Sequence, residues 1–313
     1  MILEQSEHII NEVEKAFMGK NEIVRKVLMT IYAGGNILLE DCPGVGKTTL
    51  ALAFAKAIDL KFKRVQFTPD TLPSDITGFT MYNRQTGAME YLPGAADCNL
   101  LLADEINRTS SKTQSALLEV MEEHKVTVDG VTHILPSPFI CIATQNPAGV
   151  AGTQALPESQ MDRFMIRLSI GYPSTEDQAM ILKARRYNNP LDDIKPVTTL
   201  ENLSEIQNYL NSVKIGDDVL YYIIRLCEET RKHPLVEMGV SPRCVYALTR
   251  MAKAHAILAE RGYVIPEDVV AVYTDVCAHR LLLRPQARIE GVTPEEILAG
   301  IMEQVKPEVT SIR

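Results

Sequence analysis

Short apolar runs recur through the first 170 residues of the chain and alternate with segments of helical periodicity. The runs are rich in Val, Ile, Leu and Phe, and polar residues or chain breakers bound each of them. Strands of a parallel sheet show this continuous apolar pattern because helices cover both faces of the sheet. The pattern predicts five strands, over residues 36–40, 63–67, 99–104, 139–144 and 165–170, with helices over 46–58 and 112–123.

Two stretches interrupt this alternation. Residues 68–97 carry Pro69, Pro73 and Pro93 together with three glycines, which predicts an irregular insert between the second and third strands. Residues 124–135 contain Asp129-Gly130 between alternating polar and apolar positions. That pattern predicts a hairpin closed by a type I′ turn.

The pattern changes after Tyr172 and Pro173, where strand-like runs disappear. Ser241-Pro242 is typical of a helix start, with a capping side chain followed by proline in the first turn. The periodicity predicts helices over 175–187, 201–213, 217–231, 241–261, 266–279 and 293–305. We therefore expect an α/β domain over 1–172, with helices on both faces of its sheet, and a smaller all-α domain over 173–313.

Composition is that of an ordinary globular protein, with 46% hydrophobic residues and no apolar run near the roughly 18 residues of a membrane span. The N-terminus has an early acid, Glu4, and no basic segment, so we expect no signal peptide and a cytoplasmic location. The six cysteines show no C-x-x-C pairing, which favours buried reduced thiols. The histidines show no zinc-ligand spacing.

The strongest chemical signal lies in residues 38–49, where a buried strand leads into a turn that opens a helix. Glycines let backbone N–H groups curl around phosphate oxygens, and the helix N-terminus adds partial positive charge. Lys47 would reach the β- and γ-phosphates of a nucleotide, and Thr48 would offer its hydroxyl to Mg²⁺. The predicted binding residues are Pro43, Gly44, Val45, Gly46, Lys47, Thr48 and Thr49.

One position departs from the strict pattern G-x-x-x-x-G-K-[ST], because Asp41 stands where the first glycine is expected. That position lies farthest from the phosphates, so we expect a local change in the turn with binding retained. The alternative interpretation of the whole segment is an ordinary glycine-containing turn before a helix.

Two carboxylates, Asp104 and Glu105, end the third predicted strand. Successive strand residues face opposite sides, so the two acids should serve different purposes. Asp104 would hold Mg²⁺, directly or through water, and Glu105 would orient and deprotonate the attacking water. The pair favours a hydrolase over a kinase. The alternative is that both acids simply end the strand and have no catalytic role.

Asn146 follows the fourth predicted strand at the same edge of the sheet, where open α/β sheets bind their ligands. Its side chain could hydrogen-bond the γ-phosphate or the lytic water. It could equally cap a turn before Pro147, and the residues themselves leave both interpretations open.

Together these motifs resemble the AAA+ superfamily of ATPases, and specifically its MoxR branch. The phrase of greatest weight is Phe67-Thr-Pro-Asp-Thr-Leu-Pro-Ser-Asp-Ile-Thr-Gly78. Asp at position 41 is a familiar variant in this branch, whereas residues 92–97 depart from the family's more usual Gly-Pro followed by an apolar pair. Further matches follow in order along nearly the whole chain, at residues 101–108, 112–119, 143–147, 156–164 and 239–243.

The resemblance implies roles for further residues. Asn146 matches the sensor 1 position, and Arg163 matches an arginine finger that acts on ATP held by the neighbouring subunit. Arg243 matches sensor 2, a lid residue that reports on the γ-phosphate. Met18 and Gly19 match the segment that lies over adenine. Without the resemblance, a surface ion pair for Arg163 and a helix-terminal cation for Arg243 would be the favoured interpretations.

The resemblance also implies ATP and Mg²⁺ as cofactors, a homo-oligomer that is most simply a hexamer, and a central pore faced by the insert and the hairpin. It favours a chaperone-like remodeller or maturation factor whose client carries a von Willebrand factor A domain or is another protein. A nucleic-acid motor is the first alternative, and the net charge of −8 argues against it. A non-catalytic nucleotide-dependent scaffold is the second, and the presence of Asp104, Glu105 and Arg163 argues against that.

Overall fold

The computed structural model describes residues 2–146 and 156–307. The elements before the second half are α1 (Ile2–Glu14), α2 (Asn21–Tyr32), β1 (Ile37–Glu40), α3 (Lys47–Ala57), β2 (Phe62–Gln66), α4 (Pro73–Thr77), β3 (Phe79–Asn83), β4 (Ala88–Leu92), β5 (Leu100–Asp104), α5 (Ser111–Glu123), β6 (Lys125–Val128), β7 (Val131–Ile134), β8 (Ile140–Gln145), α6 (Glu158–Met161) and β9 (Ile166–Leu168). The second half contains α7 (Thr175–Ala184), α8 (Leu200–Ser212), α9 (Asp217–Lys232), β10 (Val236–Met238), α10 (Pro242–Leu258), α11 (Pro266–Cys277), β11 (Leu282–Leu283), α12 (Pro285–Ile289) and α13 (Pro294–Gln304).

Five parallel strands form the central sheet in the order β2-β5-β8-β1-β9, which confirms the predicted sheet. Neighbouring residues of one strand enter different cores, because side chains alternate across a sheet. Ile37 and Leu39 pack with α1, α2, α3 and the second half, whereas Leu38 packs with α4 and α5. Helices therefore cover both faces, and all five strands end at one edge.

Residues 68–97 do form an insert between β2 and β5, but the prediction that this insert is irregular was wrong. The segment contains the short helix α4 and the antiparallel hairpin β3–β4, paired from Phe79↔Leu92 to Asn83↔Ala88. Its strands are largely solvent-exposed on both faces, so the sequence lacks the apolar alternation that marks a half-buried strand. The predicted hairpin is present as β6–β7, with Asp129 and Gly130 at positive φ in its turn.

The second half is helical, as predicted, with one exception. β10 and β11 form a small antiparallel ladder in which Val236 pairs with Leu283. Strands of three and two residues are too short to give a periodic signal. Helix α10 packs on α1 and α2, and α11 packs on β9, so this half joins the core on one face of the sheet. The predicted boundary at 172–173 falls in the segment between β9 and α7.

All six cysteines are free thiols, and five of them are buried, in agreement with the sequence-based expectation; Cys42 is partly exposed. Within residues 2–146 and 156–307, every helix falls short of the length and apolar character needed to cross a membrane.

A buried carboxylate joins α10 to α11. Asp268 is fully buried and accepts hydrogen bonds from Arg261, from the Ile265 N–H at 2.8 Å and at 2.6 Å from Nδ1 of His255. Burial alone would raise its pKa, but hydrogen bonds from Arg261 and His255 outweigh burial and lower the pKa to about 2. The ionised form is therefore the one that stabilises this corner.

We predict that Asp268→Asn lowers the free energy of unfolding by about 2–4 kcal/mol at pH 7, because it leaves Arg261 without its buried partner. Because the pKa of Asp268 in the folded state lies below its ordinary value, the difference in free energy of unfolding between wild type and variant should be largest above about pH 5. It should shrink as the pH falls toward 2. Urea unfolding across this range measures it. The exposed Asp70→Asn is the matched control, and an equal, pH-independent loss in both variants would contradict the prediction.

Candidate nucleotide site

The segment between β1 and α3 has the backbone of a phosphate loop. Gly44 and Gly46 adopt φ values of 89° and 98°, which side chains with a Cβ rarely tolerate. A Cβ on Gly46 would also lie 3.2 Å from Phe17, whereas one on Gly44 would meet no described atom within 4 Å. The loop therefore packs against Phe17 on the side of Gly46 and is open on the side of Gly44. It leads directly into the N-terminus of α3 at Lys47.

Lys47 lies in the loop's interior and is 8% exposed. Its ammonium donates a 2.7 Å hydrogen bond to the carbonyl oxygen of Asp41. Burial lowers the Lys47 pKa, and the nearby negative charges of Asp104, Asp41 and Glu105 only partly oppose that shift. The structure therefore brings the predicted phosphate-binding lysine together with both predicted carboxylates.

Asp104 ends β5 and is held on two sides by the neighbouring strands. Thr144 of β8 donates a 2.6 Å hydrogen bond to Oδ1, and Arg64 of β2 donates one of 2.7 Å to Oδ2. Asp104 is 8% exposed, so an unpaired charge here would be costly. Both carboxylate oxygens have protein partners in this state.

Glu105 differs from Asp104 in backbone and in partners. Its φ of 58° places it in the left-handed region, a conformation that costs a non-glycine residue about 1–3 kcal/mol and clusters at functional sites. Its N–H donates to the Thr144 hydroxyl at 2.9 Å, and its carboxylate accepts a 2.8 Å hydrogen bond from Arg108. One hydroxyl, that of Thr144, thus fixes both acids.

Asn146 lies just beyond β8 at the same edge of the sheet. Asn107 clamps its main chain, donating to the Asn146 carbonyl at 3.1 Å and accepting from its N–H at 3.4 Å. The Asn146 side-chain oxygen is buried and has no hydrogen-bond partner among the described residues. A buried polar atom without a partner is unusual and marks a position suited to a ligand or an ordered water. Pro147, the residue it would otherwise cap, lies outside the described residues.

A cavity of about 140 Å³ adjoins the phosphate loop. Met18 lines it together with Gly46 and Thr49, so the predicted adenine-covering segment does meet the loop. Gly19 makes the tight turn behind Met18, with φ at 77°, and a Cβ there would collide with Asp177 at the start of α7. The remaining walls come from Lys20, Ile170, Gly171, Pro173, Ile181 and Arg185.

Arg163 and Arg243 do not lie beside their own phosphate loop. Both meet Glu122, near the end of α5: Arg243 hydrogen-bonds one carboxylate oxygen, and Arg163 Nε lies 3.2 Å from the other without hydrogen-bond alignment. They line a second cavity of about 260 Å³ that also includes Asn36, just before β1. The phosphate loop begins at the opposite end of β1. Five extended residues separate it from Asn36, which corresponds to about 16 Å.

This placement changes the expectation for Arg243. The resemblance implied a lid residue that reports on the γ-phosphate. In this structure Arg243 shares its position with the predicted finger Arg163. Within residues 2–146 and 156–307, no hydrogen bond or ion pair of either arginine reaches residues 41–49.

Sequence reasoning missed three residues that hold this site together: Thr144, Arg64 and Glu122. Thr144 carried a usable signal, since it is a polar residue that directly follows an apolar run at the end of a predicted strand. Arg64 and Glu122 lie on a partly exposed strand and an exposed helix turn, where charged residues are ordinary. Their importance depends on tertiary proximity alone.

A strand–loop–helix phosphate loop, two acids at the neighbouring strand end and a polar residue on the next strand define a P-loop nucleoside triphosphatase site. The family model described as ATPase family associated with various cellular activities (AAA) matches residues 36–166, and an AAA lid domain model matches 228–301. A crystal structure of a putative ATPase from Cytophaga hutchinsonii superposes with a TM-score of 0.90 at 36% identity, covering 98% of this chain and 96% of that one.

Curated relatives narrow the class further. YeaC of Bacillus subtilis is 45% identical over 96% of this chain and 94% of that protein. Chaperone MoxR1 of Mycobacterium tuberculosis is 35% identical over 98% of this chain and 83% of its own length. Protein MoxR of Methylorubrum extorquens is 28% identical over 92% of this chain and 91% of its own. The chain belongs to the MoxR family of AAA+ ATPases.

We predict that Thr144→Val, which keeps the shape but removes the hydroxyl, lowers the free energy of unfolding by about 1–3 kcal/mol. It leaves the Glu105 N–H unpaired and removes a charge-assisted bond to Asp104. Urea denaturation measures the loss, with Thr127→Val on the exposed hairpin β6–β7 as control. A loss no larger than that of the control would show that the hydroxyl does not organise the acids.

Proposed function

We propose that the chain binds MgATP at its phosphate loop and hydrolyses it in a homo-oligomer, where each subunit supplies Arg163 and Arg243 to ATP held by its neighbour. One observation carries the proposal. The two arginines converge on Glu122 at the end of β1 opposite the phosphate loop, so they are badly placed for their own nucleotide and well placed together for another.

The residues present fit ATP and Mg²⁺. The open side of the glycine loop and the N-terminus of α3 suit phosphate, and Lys47 suits the β- and γ-phosphates. The oxygen ligands that Mg²⁺ prefers are available from the Thr48 hydroxyl and the Asp104 carboxylate. When bound, the metal would neutralise developing charge on the phosphates. The cavity beside Met18 and Gly19 adjoins the loop and suits the base.

In the proposed hydrolysis, Glu105 orients the attacking water and accepts its proton. The strained backbone at Glu105 and its bond to Thr144 aim this carboxylate separately from Asp104. The unpartnered side-chain oxygen of buried Asn146 can accept a hydrogen bond from the same water. Arg108 is hydrogen-bonded to Oε2 of Glu105, and its departure would free both carboxylate oxygens for the attacking water.

The arginine pair explains why assembly is part of the proposal. An arginine placed against the transferred phosphoryl group stabilises the negative charge of the transition state, which is worth about 10³–10⁵ in rate. Glu122 neutralises only one of the two arginine charges, so their cavity retains affinity for an anion. A closed ring, most simply a hexamer, would bring each such cavity to a neighbouring phosphate loop.

A chaperone-like action on a protein client is the proposed use of the ATP. Two exposed hairpins, β3–β4 and β6–β7, touch through stacked rings of Tyr91 and His133 at 3.7 Å. They expose apolar side chains, including Met89 at 62% and Ile134 at 87%. Such side chains suit an unfolded or partly folded protein better than a nucleic acid, consistent with the net charge of −8. A client with a von Willebrand factor A domain remains a family-based prediction, and the free thiols support a cytoplasmic setting.

Subunit mixing tests the shared site. Lys47→Ala should lack ATP binding but keep its arginines, whereas the double variant Arg163→Ala/Arg243→Ala should bind ATP but hydrolyse it slowly. Each alone should be nearly inactive. An equal mixture should regain turnover, because about a quarter of randomly formed interfaces pair an intact phosphate loop with intact arginines. Steady-state phosphate release measures it.

In the control mixture, the triple variant Lys47→Ala/Arg163→Ala/Arg243→Ala replaces the Lys47→Ala variant. The triple variant carries the same substitution in the phosphate loop but has neither arginine to contribute. It should rescue nothing. Activity of the original mixture equal to the sum of its parts would contradict shared sites, and full turnover by the arginine double variant alone would remove both arginines from the mechanism.

A further inference from the structure

Asp41 occupies the position where the strict phosphate-loop pattern has glycine, and its side chain makes specific contacts. Oδ1 accepts a 2.9 Å hydrogen bond from the Cys42 N–H. Oδ2 accepts from the Ser169 hydroxyl at 3.1 Å and from the Gly171 N–H at 2.6 Å. The residue is 8% exposed. This buried carboxylate ties the phosphate loop to residues 169–171.

Residues 169–171 belong to the connection between β9 and α7, the only covalent route from the sheet to the helical half. Ile170, Gly171 and Pro173 also line the cavity beside the phosphate loop. Lys20, next to the proposed adenine-covering segment, donates a 3.1 Å hydrogen bond to the Tyr172 carbonyl. The connection is therefore in contact with the proposed nucleotide site and continues directly into α7.

The main chain of Asp41 makes the second half of the link. Its carbonyl oxygen accepts the 2.7 Å hydrogen bond from the Lys47 ammonium. Lys47 is the residue proposed to bind the β- and γ-phosphates, so its ammonium, which has three N–H donors, would be shared between the phosphates and the Asp41 carbonyl. Asp41 thus contacts the phosphate-binding lysine through its backbone and the connection through its side chain.

The charge state fits such a tether. Burial alone would raise the Asp41 pKa, but hydrogen bonds from Gly171, Cys42 and Ser169 outweigh it and hold the pKa below its ordinary value. An ionised carboxylate accepts on both oxygens, as these donors require. Asparagine has the same shape but presents an NH₂ group on one side, which would face either the Cys42 or the Gly171 N–H.

We infer that Asp41 is a positioning residue that transmits the occupancy of the phosphate loop to the connection between β9 and α7. The inference rests on the proposed ATP site at Lys47. When phosphates bind the Lys47 ammonium they draw it toward themselves, and the Asp41 carbonyl and the turn at 41–43 shift with the ammonium. The carboxylate carries that shift to Gly171, and α7 moves with it.

Hydrogen exchange of the full chain tests the inference in Asp41→Gly, Asp41→Asn and Ser169→Ala. Asp41→Gly restores the strict phosphate-loop pattern, so the affinity for a fluorescent ATP analogue should stay within about threefold of wild type. Without nucleotide, the Gly171 amide should exchange at least about tenfold faster in Asp41→Gly, which removes its charged acceptor, and faster by a smaller factor in Asp41→Asn, which removes the charge. Ser169→Ala, which keeps the Gly171 bond, should give a smaller change and covers the case that an Asp41 variant does not fold.

The second arm adds the ATP analogue. In wild type, exchange over residues 166–184 should change on binding, whereas in the Asp41 variants that response should be lost and turnover should fall while affinity holds. A wild-type response retained in Asp41→Gly overturns the inference, as does an affinity loss of tenfold or more, which would make Asp41 a binding residue. If wild type itself binds no nucleotide, the ATPase proposal fails, and Gly171 protection without nucleotide still decides whether the tether exists.

Discussion

The parallel sheet is the constraint on which the site depends. Because all five strands run the same way, their carboxyl ends meet at one edge, and that edge collects the phosphate loop after β1, the acids after β5 and Asn146 after β8. The same parallelism sends Asn36 and the arginine cavity to the opposite end of β1. A single chain therefore holds the two halves of the proposed reaction centre a strand's length apart, and in our proposal a second copy completes the geometry.

Charge compensation within the protein stabilises the charged groups of this site. Each charge that the reaction needs has an internal partner: Arg64 on Asp104, Arg108 on Glu105, the Asp41 carbonyl on Lys47, and Glu122 on both arginines. A buried charge without a partner would be far more costly than these pairs. Nucleotide binding in this account is an exchange of partners. In our proposal the protein gives up internal ion pairs for phosphate and metal contacts, and that exchange moves loops and subunits.

Much of the architecture was predictable because it has a period or a motif. The five strands of the sheet were predicted from short runs rich in apolar residues, the glycines of the phosphate loop precede a helix, and Asp129-Gly130 closes a hairpin as expected. Hairpin β3–β4 was missed because its strands are exposed on both faces, and β10–β11 because they are too short. The meeting of Arg163 and Arg243 at Glu122 joins residues far apart in sequence, and only tertiary structure reveals it. The roles of the individual site residues stay predictions.

The most direct test of the central claim, that the reaction centre is shared between copies, is the ATPase rate per subunit as a function of protein concentration, with light scattering on the same samples. The account predicts a specific activity that climbs steeply as oligomers replace monomers and levels off once assembly is complete, because the arginine contribution of about 10³–10⁵ is absent in a monomer. A constant specific activity across a range in which scattering shows only monomers would contradict it.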